Sequence, residues 1–155
     1  MIRWVLATVH LLALGIGLGA IWDRARAFRS VPEGNQVDPA ALRRVFRADN
    51  LWGVAAILWL VTGLVRAFGG YERTTRYYLH NAFFLGKLGA FGVILALEIW
   101  PMITLIRWRR RLRRGRWVAT GMAPALARIS AIQAAVIVAM TFFATALARG
   151  YGVLR

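Results

Sequence analysis

Cysteine is absent from this 155-residue chain, which excludes disulfide bridges and thiolate metal sites. Acidic residues are scarce: there are 6, against 21 lysines and arginines, and the formal net charge is +15. Such a charge would suit a nucleic-acid-binding protein, but its main cluster, the seven arginines from Arg107 to Arg116, directly follows an apolar segment. Basic residues in that position stop a membrane helix and face anionic lipid. We therefore expect anionic lipids, and no nucleic acid, as partners of this cluster.

The motifs of soluble enzymes are also missing. The sequence contains no phosphate-binding loop, no dinucleotide fingerprint, no two-histidine zinc spacing on one helix and no serine nucleophile elbow. What the chain does have is apolar residues, at 59% hydrophobic content and a mean hydropathy of +0.55. This composition is typical of a membrane protein rather than a soluble one.

Four apolar segments are long enough to cross a bilayer as helices, and they lie at about 4–22, 51–68, 77–106 and 129–147. They predict an all-α polytopic membrane protein, a four-transmembrane-helix bundle forming one integral membrane domain over residues 1–155. Asp38 and Pro39 have the pattern of an N-cap and a first-turn proline. They predict a short amphipathic helix over 40–48, between the first two transmembrane helices.

The arginines predict the orientation in the membrane. Most of them lie in the connections between segments one and two and between segments three and four. By the positive-inside rule these connections face the cytoplasm. We therefore expect a bacterial inner-membrane protein with both termini on the non-cytoplasmic side.

The third segment carries unusual charges for a membrane helix. His80, Lys87 and Glu98 are spaced by seven and eleven residues, so neighbouring pairs lie within about 20° of each other on a helical wheel. A charge near the bilayer centre costs at least ~2.5 kcal/mol and normally faces protein, water or a cofactor. Glu98 lies about 16 Å along the same helix from Lys87, too far to pair with it. Glu98 is instead expected to pair with an arginine such as Arg24 or Arg128.

Lys87 is the candidate catalytic residue. It would either bind a haem propionate or an acidic substrate, or move protons as a lysine of lowered pKa. The alternative is a structural ion pair with a carboxylate.

His10 and His80 are the only histidines, and they lie in helices predicted to run in the same direction. The two histidines would then lie at the same depth in the membrane to within about one helical turn. Facing helices of a bundle commonly hold haem through imidazole ligands. His10 and His80 are therefore the candidate metal ligands of haem b. Phe84 and the glycines of the first segment (Gly15, Gly17 and Gly19) would form flat walls. The alternative is that each histidine is a hydrogen-bonded residue of the membrane interface.

Three sequence runs carry a family resemblance: VHLLALGIGLGAIWDRARAFR, LRRVFRADNLWGVAAILWLVTGL and YYLHN…EIWPMITLIRWR. They closely resemble the small bacterial membrane proteins of domain-of-unknown-function family 2214. More distantly, the positions of His10 and Lys87 resemble those of the HemJ-type protoporphyrinogen IX oxidases and the CopD-like membrane proteins. The HemJ resemblance implies b-type haem, with a helix-one histidine and a helix-three lysine as the key pair. Glu98-Ile99-Trp100 stands where the HemJ type has a second histidine.

Two functions follow as hypotheses. The first is a membrane haem protein, acting in electron transfer or porphyrinogen oxidation. The alternative is a non-catalytic accessory subunit of a larger membrane complex or homo-oligomer, favoured by the glycine-lined first helix and the many tryptophans. A copper transporter of the CopD kind is disfavoured, because the chain lacks the cysteine and clustered methionine that soft copper requires.

Overall fold

Five α-helices make up the part of the chain that the structure describes. The computed structural model describes residues 1–34, 37–69 and 75–154. The helices are listed in chain order: α1 (Ile2–Arg29), α2 (Pro39–Phe68), α3 (Thr75–Leu79), α4 (Ala82–Arg113) and α5 (Ala123–Ala148). All but α3 are long and apolar enough to cross a membrane. The predicted all-α fold with four membrane-spanning helices is confirmed.

The predicted amphipathic helix is present, but it is not separate. Residues 40–48 form the first turns of α2, which continues without interruption into the second apolar segment. Asp38 accepts a hydrogen bond from the Ala40 backbone nitrogen at 2.8 Å, and Pro39 opens the helix, as the cap pattern predicts. No glycine or proline stands between Pro39 and Leu51, so nothing in this stretch ends the helix.

The third segment is interrupted where the sequence predicted one continuous helix. The helical conformation is interrupted at His80 and Asn81, between α3 and α4. Asn81 caps α4: its Oδ1 accepts hydrogen bonds from the backbone nitrogens of Phe83 and Phe84, at 3.0 and 3.2 Å. The C-terminal segment secures the break, because the Ala82 nitrogen donates to the Gly152 carbonyl at 2.8 Å. His80 is therefore not on the same helical face as Lys87, and that part of the prediction is wrong.

The two ends of the bundle differ in packing. We call the end where α1 begins and α5 ends the terminal end, and the opposite end, where α1 ends and α5 begins, the basic end. The basic end has a dense core that includes Phe28, Leu42, Leu105 and Leu126, each at most 1% exposed. The core at the terminal end is much smaller and consists of Ala67, Tyr78 and Phe84.

The helices form an open ring. Helix α1 packs against α2 and α5, and α5 packs against α4. Within the described ranges, α2 and α4 have no comparable helix-to-helix packing, and their side chains bridge the gap at a few positions. One side of the bundle is thus less tightly closed than the others.

A buried guanidinium ties all four long helices together. Arg24, on α1, is completely buried. Its five N–H groups all have acceptors. Two go to Glu98 of α4 (both 2.7 Å), and the others go to Asp49 of α2 (2.8 Å) and to Gln133 and Ser130 of α5 (3.0 and 3.2 Å). The predicted pairing of Glu98 with Arg24 is confirmed.

A second arginine completes this group, which we call the clamp. Arg109, on α4, donates to the other carboxylate oxygen of Asp49 at 2.8 Å, and its guanidinium lies 5.0 Å from the Phe46 ring centroid. The clamp holds two arginines and two carboxylates, so its charges sum to zero. Arg109 thereby differs from the other six arginines of the run 107–116, which are exposed. Ionic groups are tolerated among membrane helices when their charges are balanced and hydrogen-bonded, as all five N–H groups of Arg24 are.

Removing the buried partner of the clamp should destabilise the fold. We expect Arg24→Gln to lower the free energy of unfolding by about 3–5 kcal/mol, because the partly buried Glu98 loses its counter-charge and Asp49 keeps only Arg109. The measurement is reversible unfolding in mixed micelles. Arg44→Gln is the matched control, because Arg44 pairs with Asp23 on the exposed surface. Exposed pairs contribute little to stability. Equal effects of the two substitutions would contradict the account of the clamp.

Candidate functional site

A cavity of about 610 Å³ lies among the helices in the terminal half of the bundle. Side chains from every helix line it, including His10 of α1, Trp59 of α2, Tyr77 of α3, Lys87 of α4 and Met140 of α5. Its volume is in the range of small-molecule and cofactor sites. The position follows from the packing, because the terminal end has too few large buried side chains to fill the bundle.

His10 is held in the cavity wall by a threonine. The ring is 6% exposed, and its Nδ1 lies 2.9 Å from the Thr62 hydroxyl. That hydroxyl donates its single proton to a backbone carbonyl of its own helix, with Leu58 at 2.7 Å. Thr62 must therefore accept from His10, so Nδ1 carries the imidazole proton. In this tautomer Nε2 carries the ring lone pair, and a second hydrogen bond of this kind is what orients histidine ligands of metals.

A glycine lets the imidazole lie close to α2. A Cβ atom at Gly63 would stand 3.2 Å from the His10 Cε1, which is tighter than ordinary packing. On its other side His10 meets Trp59, with ring centroids 5.9 Å apart and planes at 33°. Trp59 in turn contacts Phe91 edge-on at 5.9 Å. The histidine is thus fixed by a hydrogen bond, a glycine and an aromatic ring.

Lys87 and Phe84 lie at the same cavity as His10. Phe84 is buried, with its ring 5.1 Å from that of Tyr78, and Lys87 is half-buried. Arg3 and Arg66 also line the cavity. The charged side chains that the structure describes in the cavity lining are those of Arg3, Arg66 and Lys87.

His80 lies elsewhere. It is exposed in the turn between α3 and α4, where its Nδ1 is 3.0 Å from the Arg76 carbonyl oxygen. The structure therefore does not bring His10 and His80 together as a ligand pair, because His80 lies exposed in this turn and His10 lies in the cavity wall. Within the described ranges, no three His, Cys, Asp or Glu residues form a metal-binding cluster.

The glycines of α1 do not form the predicted wall of the described cavity. A Cβ at Gly17 would approach the Trp52 ring to 3.3 Å, so this glycine serves close packing of α1 on α2. Gly15 and Gly19 have open space beside them. None of the three lines the cavity as described.

The sequence profile of one family, described as a predicted membrane protein (DUF2214), matches residues 2–152. The chain belongs to this family. Comparison with curated proteins and with solved structures finds no match. The DUF2214 description identifies a membrane protein and carries no activity, so the chemistry of this member has to be inferred from its own cavity.

Several residues of this DUF2214 protein make contacts that the sequence did not predict. Helical spacing does not predict Thr62 as the partner of His10, because that contact joins residues 52 apart in the chain. Arg109 was expected to face anionic lipid with the rest of the run 107–116, and Asp49 was not singled out, but both enter the clamp. One sequence signal was available: a lone aspartate inside a helix that carries several arginines requires a counter-charge.

Proposed function

We propose that this membrane protein binds haem b in the terminal-half cavity, with His10 as the axial ligand. The supporting observation is the 2.9 Å contact between His10 Nδ1 and the Thr62 hydroxyl in the wall of a roughly 610 Å³ cavity, from which we infer that Nδ1 carries the proton and Nε2 the lone pair. Neutral imidazole in this state is the usual ligand of b-type haem iron. The distant resemblance of the His10 and Lys87 positions to the HemJ type supports the same assignment.

The other residues that line the cavity are chemically suited to bind haem. Haem has a flat apolar ring and two carboxylates, and the cavity offers aromatic walls at Trp59 and Phe84 together with cations at Lys87, Arg66 and Arg3. Lys87 would hold a propionate or the carboxylate of a porphyrinogen substrate. His80 has no part in this site, so the protein supplies His10 as its histidine ligand. When bound, haem supplies one-electron redox chemistry.

The protein itself would orient the His10 ligand and exclude bulk water from the site. Thr62 fixes the tautomer and the direction of His10, while Gly63 leaves room for the ring. Lys87, on α4, places an ammonium group in the same cavity, where it can hold an anion or pass a proton to a bound substrate. The apolar side chains around them keep bulk water from the middle of the bundle.

We further propose that the basic end faces the cytoplasm of a bacterium, so that the cavity lies in the outer half of the inner membrane. Exposed arginines crowd that end: Arg26, Arg29, Arg43, Arg44, Arg47, Arg128 and six of the run 107–116. They are placed to contact anionic lipid headgroups. Alkaline phosphatase fused to the C-terminus should be active, and fused after Arg116 it should be inactive. The reverse pattern would contradict this orientation.

Removal of His10 should abolish haem binding. Protein purified from haem-replete cells is expected to show a Soret band, and His10→Ala should weaken haem affinity by at least roughly 100-fold, as expected for loss of an axial ligand. His80→Ala is the matched control and should keep the band, because His80 is exposed outside the cavity. The measurement is the absorption spectrum of each purified variant after titration with haem.

Two glycine substitutions on α2 test whether haem binding depends on the position of the His10 ring. Gly63→Ala should displace the ring and weaken haem binding by about tenfold, whereas Gly53→Ala, with no neighbour within 4 Å, should not. Colourless wild-type protein that takes up no haem would overturn the proposal. Co-purification with other membrane subunits would then favour the accessory-subunit hypothesis.

A further inference from the structure

The gap between α2 and α4 contains a second, smaller space. In the described structure, side chains bridge these helices at Trp59 and Phe91 and, nearer the basic end, at Asp49 and Arg109. From Trp59 towards the terminal end lies a cleft of about 110 Å³. Leucines on both helices line it, among them Leu60, Leu64 and Leu88. We call this space the α2–α4 cleft.

The cleft connects the lipid-facing surface with the cavity. Leu64 and Leu88 are 49% and 51% exposed, and both lie on membrane-spanning helices, so their outer surfaces contact acyl chains. At its inner end the cleft is lined by His10 and Lys87, which also line the large cavity. Apart from these two, the described lining is apolar. A molecule dissolved in the bilayer therefore meets an apolar passage that ends at the candidate ligand.

Trp59 stands where the two spaces meet. It lines both, it is 6% exposed, and its Nε1–H has no acceptor in the described structure. A buried donor without an acceptor costs about 1–3 kcal/mol, which an acceptor atom on a bound ligand would recover. Elsewhere the cavity lining includes Arg3 and Arg66, whose charged groups make an approach past them unfavourable for an apolar ring.

We propose that the α2–α4 cleft is a lateral entrance through which a membrane-dissolved, carboxylate-bearing porphyrin reaches the His10–Lys87 cavity, and that Trp59 Nε1 donates a hydrogen bond to the bound ligand. This inference rests on the proposed haem function and adds the route and a binding residue. Lys87, at the inner end of the cleft, attracts the carboxylate, while the leucines admit the ring.

The absence of cysteine makes a clean test of the entrance possible. Leu64→Cys and Leu88→Cys place one thiol on each side of the cleft, and a short, reducible bifunctional thiol reagent then links α2 to α4. The protein is held in nanodiscs, and haem is delivered from liposomes. Linking should slow the growth of the Soret band by roughly tenfold, since a covalent bridge excludes a flat ring from a cleft this narrow. Cleavage by reductant should restore the rate in the same sample. Each single-cysteine variant, treated with the reagent, controls for modification alone.

The outcomes separate the two proposals. Uptake by the linked protein at the unlinked rate would overturn the lateral entrance and leave haem binding intact. Failure of the folded, unlinked protein to take up haem would overturn haem binding and the entrance with it.

Trp59→Phe tests the donor, because it keeps an aromatic ring and removes the N–H. Haem affinity should fall by roughly five- to tenfold, as for loss of one hydrogen bond. Trp52→Phe is the matched control, because Trp52 is equally buried on the same helix but packs against Gly17 outside the cavity. Unchanged affinity in Trp59→Phe would overturn the role of this donor.

Discussion

One buried guanidinium holds the four long helices in place. Each of the five N–H groups of Arg24 has an acceptor, and these acceptors come from α2, α4 and α5. In lipid the hydrophobic effect does not drive helices together, so packing and interhelical hydrogen bonds have to do so. A charged, bidentate contact between Arg24 and Glu98 is among the strongest of such bonds. Charge neutrality is reached because Arg109 balances the second carboxylate, that of Asp49.

The position of the clamp explains where the bundle is open. Near Arg24 the helices and both connections pack densely, and Thr120 joins the two connections by donating to the Pro32 carbonyl at 2.6 Å. Towards the terminal end the buried core is much smaller, and the helices leave a cavity between them. The interactions that stabilise the bundle thus lie mainly at the basic end. The terminal end can therefore contain a cavity around His10 and Lys87. The incomplete contact between α2 and α4 is a consequence of the same arrangement.

Hydropathy was sufficient to predict the four spanning helices, because their apolar runs are long and bounded by arginines. The pairing of Glu98 with Arg24 was also predictable, since a carboxylate in a membrane helix demands a cation. The position of His80 was predicted wrongly because the helical spacing was applied to the third segment as one continuous helix. Asn81 instead caps the N-terminus of a separate helix, α4. The Thr62–His10 bond and the open α2–α4 side depend on how distant segments pack, which helical spacing does not encode.

The most direct test of this account is a double-mutant cycle between Arg24 and Glu98, using Arg24→Gln, Glu98→Gln and the double variant. Unfolding free energies in mixed micelles give the coupling energy of the pair. The account predicts a coupling of about 2 kcal/mol, because the contact is bidentate, charged and closed to solvent on the arginine side. A coupling below about 0.5 kcal/mol, the level at which separate sites simply add, would contradict it.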